Sequence, residues 1–277
     1  MLHPLRDHPR VIDAAPATAV ERFTRHLSDT QRVAFLAHWS PGERQSQSVQ
    51  TLIAELQRLG YRVIVSSTSP AAARLDFGCK YGVRTDELTV LRRPNTGYDF
   101  GSWAVAMAAY EELLSLPYVL VVNDSLVGPF TQLDAIVTHF EATTADAWGM
   151  VESDQFGSHL QSFFRGFRYG VLAENALRRF WRDIRVVTDK GELILAYESG
   201  FSRFLVMHGY SSTAFVHHSD VVADGLNPTI YGWRGLLEAG IPFVKRELLL
   251  RPDLAPGGER IASVIADHYG TDVSQWI

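Results

Sequence analysis

Four short apolar runs, Val33–His38, Tyr61–Ser66, Leu88–Arg92 and Tyr118–Val122, recur through the first half of the chain, with loops or stretches of helical periodicity between them. Each is almost continuously apolar, the pattern of a strand covered on both faces rather than one. A polar loop to Ser46 follows the first run, then a helix that places Val49, Leu52, Ile53, Leu56 and Leu59 on one stripe, ended by Gly60. A helix-like stretch is expected around Ala71–Leu75, and Asn95–Gly101 opens a helix that runs to Leu116. Strands alternating with helices imply parallel strands joined by right-handed crossovers. An open sheet of that kind takes its ligand at the carboxyl ends of its strands.

The second half is less regular. Its pattern predicts helices at Gln132–Glu141, Gly170–Ile184, Leu193–His208 and Tyr231–Ala239, and strands at Ala147–Val151, Leu160–Phe167, Ser212–His217 and Phe243–Leu249. Residues 1–30, with a short helical pattern at Ala19–Leu27, read as an N-terminal extension, and residues 31–277 as one α/β domain with a mixed second half. With 46% apolar and 21% charged residues the chain is too apolar to be disordered. Its 26 basic and 31 acidic side chains include no dense Lys/Arg block, which excludes a nucleic-acid track. A nucleotide remains admissible, because backbone N–H groups can hold phosphate without a basic surface. Cys79 is the single cysteine, so no intrachain disulfide can form, in keeping with a reducing cytoplasm. Met1–Val20 lacks an apolar core, and the apolar runs fall short of a membrane span, so neither secretion nor a transmembrane anchor is expected.

The most informative motif is Val121-Val122-Asn123-Asp124-Ser125, an apolar strand that delivers a carboxylate and two small polar groups to its carboxyl end. A hard cation such as Mg²⁺ takes one or two carboxylates plus substrate phosphates, so Asp124 suits a metal-bound diphosphate. A plain turn or helix cap explains the same residue types. Gly97 and Gly101 bracket Tyr98-Asp99-Phe100 before a helix, where glycines permit close approach of a ligand; a turn with Asp99 as N-cap is the alternative. In an extended strand, His159 and Gln161 share one face, fit for sugar hydroxyls or for water. Glu198 lies within a predicted helix, as a surface acid or a general base. His217 and His218 would face opposite sides, so at most one could be a ligand. Lys245 suits a phosphate or an ion pair.

Taken in order, Arg93-Pro-Asn-Thr-Gly-Tyr-Asp-Phe-Gly-Ser-Trp103, Asn123-Asp-Ser-Leu-Val-Gly-Pro129, His159-Leu-Gln-Ser-Phe-Phe164, Tyr197-Glu198 and Gly240-Ile-Pro-Phe-Val-Lys245 resemble the rhamnan synthesis protein F family over about Val33 to Leu250. That family is similar to the GT-A glycosyltransferases, and the resemblance implies a GT-A-like α/β domain: a mostly parallel nucleotide-binding sheet flanked by helices, with an acceptor-binding second half. It implies that His38, Asn95, Gly97, Asp99, Asn123, Asp124 and Ser125 bind the nucleotide-sugar donor, Asp124 holding a divalent metal (Mg²⁺ or Mn²⁺) where the GT-A pattern carries two carboxylates. It implies Glu198 as catalytic base of an inverting transfer, and His159, Gln161 and Lys245 as acceptor or sugar ligands. The implied reaction moves rhamnose from dTDP-rhamnose onto a surface polysaccharide such as O-antigen, with a lipid-linked or oligosaccharide acceptor. The implied setting is cytoplasmic, with peripheral association with membrane-bound assembly proteins at the inner face of the plasma membrane.

Three alternatives stand beside this reading. The same fold could use a UDP- or GDP-linked hexose. A sugar nucleotidyltransferase also pairs an α/β sheet with metal-bound phosphates, but Trp39-Ser-Pro-Gly-Glu43 lacks the Gly-rich basic loop expected for a triphosphate. A non-catalytic glycan-binding or scaffold module would have no need for both Asp124 and Glu198 in one pocket.

Overall fold

The computed structural model describes residues 5, 7–22 and 30–277. Its strands are β1 (Ala19–Arg22), β2 (Arg32–His38), β3 (Arg62–Ser67), β4 (Leu88–Arg92), β5 (Tyr118–Asn123), β6 (Leu126–Val127), β7 (Ala147–Ser153), β8 (His159–Leu160), β9 (Phe164–Arg168), β10 (Ser212–Val216) and β11 (Val244–Lys245). Its helices are α1 (Val11–Ala14), α2 (Gln47–Arg58), α3 (Tyr98–Ala109), α4 (Asp134–Ala142), α5 (Asn175–Arg182), α6 (Lys190–Leu193), α7 (Ser199–Met207), α8 (Pro228–Tyr231), α9 (Trp233–Glu238), α10 (Arg246–Leu250) and α11 (Ile261–Tyr269). Eight strands lie in the order β1-β4-β3-β2-β5-β9-β7-β10, with β8 attached to β7 as the ninth. Six of them, β4, β3, β2, β5, β7 and β10, run parallel, while β1 and β9 run against their neighbours. This is the mostly parallel, helix-flanked GT-A-like α/β arrangement that the resemblance implies, with the mixed portion in the second half.

The near-continuous apolar runs follow from the two covered faces. Val33, Phe35, Ala37, Val119 and Val121 pack on one side with Trp103 of α3, Trp181 of α5 and Phe201 of α7. Ala34, Leu36, Leu120 and Val122 pack on the other with Leu52, Ile53 and Leu56 of α2 and Phe140 of α4. A third, smaller core joins Val127 and Val244 of the β6–β11 ribbon to Trp233, Leu248, Ile265 and Trp276. Among the described residues no helix is long and apolar enough to cross a membrane.

Several expectations need correction. The Ala71–Leu75 stretch is not helical: the Arg92 guanidinium takes the carbonyls of Ser69 and Ala71, and the Glu21 carboxylate takes the Leu75 N–H, so tertiary partners satisfy backbone groups a helix would have paired. Ala19–Arg22, expected in a helical pattern, is strand β1, added along β4; residues 23–27 of that pattern lie outside the described residues. The run Leu160–Phe167 is two strands, β8 and β9, broken at Gln161–Phe163, so the chain reverses and β9 inserts between β5 and β7. Phe243–Leu249 supplies only the two-residue β11 before turning into α10, because β6 offers just two residues to pair with.

Candidate functional site

Because β2, β3, β5, β7 and β10 point the same way, their carboxyl ends open on one edge of the sheet, and most of the predicted site residues gather there. After β5, Asn123 makes a tight turn: its Oδ1 accepts from the Ser125 N–H at 3.1 Å and from Ser125 Oγ at 2.7 Å, and its Nδ2 donates to Asp99 Oδ2 at 2.7 Å. This is the plain turn that the same residue types allowed as an alternative, and it places the half-buried Asp124 beside the loop that follows β2. Asp124 Oδ2 accepts the Trp39 N–H at 2.8 Å. Burial pushes the Asp124 carboxyl up to about 6, against the opposing pull of the Trp39 N–H and the Arg246 charge.

Asp124 and Ser125 line a cleft of about 550 Å³ together with Trp39, Arg44, Ser46 and Arg246. Ser46 caps α2, accepting the Val49 N–H, so the positive end of a 12-residue helix opens on the cleft. Arg246 is fixed by its backbone N–H, which donates to the Ser125 carbonyl at 3.1 Å. The cleft therefore sets one carboxylate beside two guanidinium groups and a helix N-terminus, a set suited to an anion. Asp124 is the only acidic side chain in the lining, so a divalent cation would be held by this carboxylate together with oxygens of a bound phosphate and water.

Of the seven predicted donor residues only Asp124 and Ser125 line the cleft, and His38, Asn95, Gly97, Asp99 and Asn123 lie outside its lining. His38 is 2% exposed, with Nδ1 on Ser67 Oγ at 2.9 Å and Nε2 on Gln45 Oε1 at 2.6 Å, and burial lowers its pKa to about 4, which keeps the ring neutral. Gly97 adopts a left-handed φ of 79° as the cap residue before α3, a place expected for Asp99, and a Cβ on it would lie 2.6 Å from Val11 Cγ2. Packing of α1 thus accounts for that glycine. Asp99 sits in the first turn, bonded to Asn123, and Asn95 is exposed in the loop before it.

Glu198 lies further along the same edge in a different setting. It closes a π-turn, Ile194–Glu198, spliced between α6 and α7, a helix defect often found at functional positions. Its Oε1 accepts both the Ser162 N–H and Ser162 Oγ–H at 2.8 Å. Beneath it, Arg165 is 1% exposed, donates to the carbonyls of Leu160, Gln161 and Glu198, and stands over the rings of Phe100 and Phe201. Burial lowers the Arg165 pKa to about 10, partly opposed by Glu198. His159 and Gln161 are buried here, not displayed on an open strand face: His159 Nδ1 meets the Gly157 carbonyl at 2.7 Å, and Gln161 Nε2 donates to Asn227 Oδ1 at 3.1 Å. Burial lowers the His159 pKa. Lys245 stands in β11 opposite Leu126, one residue before the arginine that lines the cleft.

Trp39, Arg44, Ser46 and Arg246 were not singled out from the sequence. A signal existed for three of them: Trp39, Arg44 and Ser46 lie in the polar loop read from the end of the first strand to Ser46, while Arg246 adjoins Lys245. Arg246 was hidden because a strand through Phe243–Leu249 would have turned it away from its neighbour's face, whereas a helix begins at that residue.

Residues 83–274 match the family described as "Rhamnan synthesis protein F". Virulence protein VirA of Vibrio anguillarum is 26% identical over 192 residues, covering 57% of this chain and 61% of VirA. Uncharacterized protein y4gN of Sinorhizobium fredii is 23% identical over 154 residues, covering 54% of this chain and 40% of that protein. The chain thus spans only part of the length of the curated relatives it matches.

Proposed function

Since this chain belongs to the rhamnan synthesis protein F family, a membership that points to glycosyl transfer in polysaccharide synthesis, we propose that it moves a sugar from a nucleotide-sugar donor onto a growing surface polysaccharide. The observation that carries the reading is the cleft at the end of β5, where Asp124 stands among Arg44, Arg246 and the N-terminus of α2. A departing nucleoside diphosphate develops negative charge, and guanidinium groups and helix N–H donors placed beforehand offset it without reorganising. Asp124 and Ser125 would hold the diphosphate, Asp124 being the residue that would hold a divalent cation (Mg²⁺ or Mn²⁺); Asn95, Gly97, Asp99 and Asn123 would support the turn that presents them, and His38 would hold the loop that begins at Trp39. The metal supplies charge compensation when bound.

Glu198 would act as base. Ser162 occupies its Oε1, leaving Oε2 without a protein partner among the described residues and available to take a proton from an acceptor hydroxyl. Transfer with inversion then needs no covalent intermediate. His159, Gln161 and Lys245 would orient donor or acceptor sugars. We take dTDP-rhamnose as donor and a lipid-linked or oligosaccharide acceptor at the inner face of the plasma membrane; a UDP- or GDP-linked hexose is the alternative donor. Isothermal titration with dTDP, UDP and GDP, each with and without Mn²⁺, tests this. Binding of one nucleotide that Mn²⁺ strengthens, and that Asp124→Asn weakens, supports the donor site. Failure of all three under every condition removes it and leaves the glycan-binding module as the better account.

A further inference from the structure

At the same edge, beyond β5 and β9, a second group of ligating side chains stands apart from the cleft. Asp154 directly follows β7, and His218 opens a short turn, His218–Asp220, just after β10, the parallel neighbour of β7. His218 Nε2 lies 3.4 Å from Asp154 Oδ2 and 3.5 Å from Asp224 Oδ1, and the three ligand atoms fall within 4.8 Å of one another. These spacings are long for charge-assisted hydrogen bonds, which close to about 2.7–2.9 Å. The two His218–Asp spacings match neighbouring positions of a coordination polyhedron, since bonds of about 2.0–2.2 Å at a tetrahedral angle put ligand atoms roughly 3.4 Å apart.

The surroundings fit the same reading. Asp154 uses its other oxygen, Oδ1, to accept the Gly225 N–H at 2.9 Å, which ties the loop bearing Asp224 back to β7. The second ring nitrogen of His218 is buried without a hydrogen-bond partner and lies 4.0 Å from Glu152 Oε2. A small rotation of the ring toward a cation would leave that nitrogen facing a carboxylate, the usual backing of a metal-bound imidazole.

We propose that Asp154, His218 and Asp224 bind a first-row divalent transition cation, Zn²⁺ or Mn²⁺ in preference to Mg²⁺ or Ca²⁺. The imidazole nitrogen sets that preference, since the hard cations take all-oxygen shells. Three protein ligands leave a position open for an oxygen of water or of a bound glycan. The loop from His218 continues to Asn227, which pairs with Gln161 and Gln155, so an ion here pins that loop and holds Gln161 in place. The proposal is independent of the donor reading, because none of its residues lines the Asp124 cleft.

The test is titration of tag-free, chelator-stripped full chain with Zn²⁺, and separately Mn²⁺, in the absence of any nucleotide, read by competition with a chromophoric chelator and by thermal melting. The expected result is one saturable equivalent that raises Tm, weakened tenfold or more in Asp154→Asn, His218→Gln and Asp224→Asn and unchanged in Asp124→Asn. Asp224 is 91% exposed, so its replacement leaves the fold intact and keeps the test valid should His218→Gln misfold. His217, whose Nδ1 meets Glu152 Oε2 at 2.7 Å, is the control for casual surface binding. The absence of a saturable equivalent, affinity indifferent to the three substitutions, or loss in His217→Gln with retention in His218→Gln would each overturn the site.

Discussion

The cleft beside Asp124 and the pocket around Glu198 share one sheet edge but use their polar groups in opposite ways. In the cleft, Arg246 is held by its backbone N–H, no hydrogen bond or ion pair among the described residues engages the Arg44 or Arg246 guanidinium, and the N-terminus of α2 opens without a carboxylate in its first turn. Around Glu198, Arg165 donates through Nε and Nη2 to three carbonyls, with only its Nη1 buried without a partner, Ser162 gives two donors to one carboxylate oxygen, and Gln161 is locked to Asn227. A region that leaves charge unspent is ready for a ligand of opposite charge. One that spends it is rigid, and can position a single reactive atom. Donor recognition and proton abstraction make these two different demands.

The contrast can be broken most directly at Glu198. Glu198→Gln keeps an oxygen for both Ser162 bonds and removes the base, so turnover on the donor identified by titration is expected to fall by about 10²–10⁴-fold with KM nearly unchanged. A large rise in KM with kcat preserved would make Glu198 a binding residue. Next in size, Arg165→Met should destabilise the fold by ~2–4 kcal/mol in urea unfolding, since three buried carbonyls lose their donor. Arg246→Met is expected to change stability by less than about 0.5 kcal/mol while weakening nucleotide binding about tenfold. Equal stability losses in the two arginine variants would erase the distinction between spent and unspent groups.

Two pH effects sharpen the comparison further. Metal-assisted nucleotide binding should decline as pH falls below the Asp124 value of about 6, and the slope should be shallower in Asp124→Asn, where the terminal phosphate of the nucleotide still titrates but the carboxyl does not. His38 has its folded pKa depressed from the ordinary 6.5 to about 4. Its contribution is therefore present above about pH 6.5 and lost as pH falls toward 4, so His38→Gln should flatten the decline of Tm across that window.

Much of the frame was readable beforehand. The strands at Val33–His38 and Leu88–Arg92 and the stripe of α2 follow from short-range pattern, because a residue buried on either face of a parallel sheet must be apolar wherever the neighbours come from. Asp124 at a strand end was readable for the same reason. The Ala71–Leu75 loop was not, since Arg92 and Glu21, distant in sequence, take its backbone groups. His159 and Gln161 were legible as polar residues but not as buried ones, because the reversal into β9 depends on where β5 and β7 leave an unpaired edge.

By itself the sequence determined the alternation of strands and helices, the edge on which polar residues would emerge, and through five ordered motifs the family. Only the tertiary structure decided which of those polar residues meet. Arg246 faces Asp124 because β11 is too short to carry the chain past it, and His218 reaches Asp154 because β10 ends beside β7. Local pattern reports burial residue by residue, whereas the meeting of two side chains depends on register and chain reversal, which arise from pairings between segments far apart in the chain.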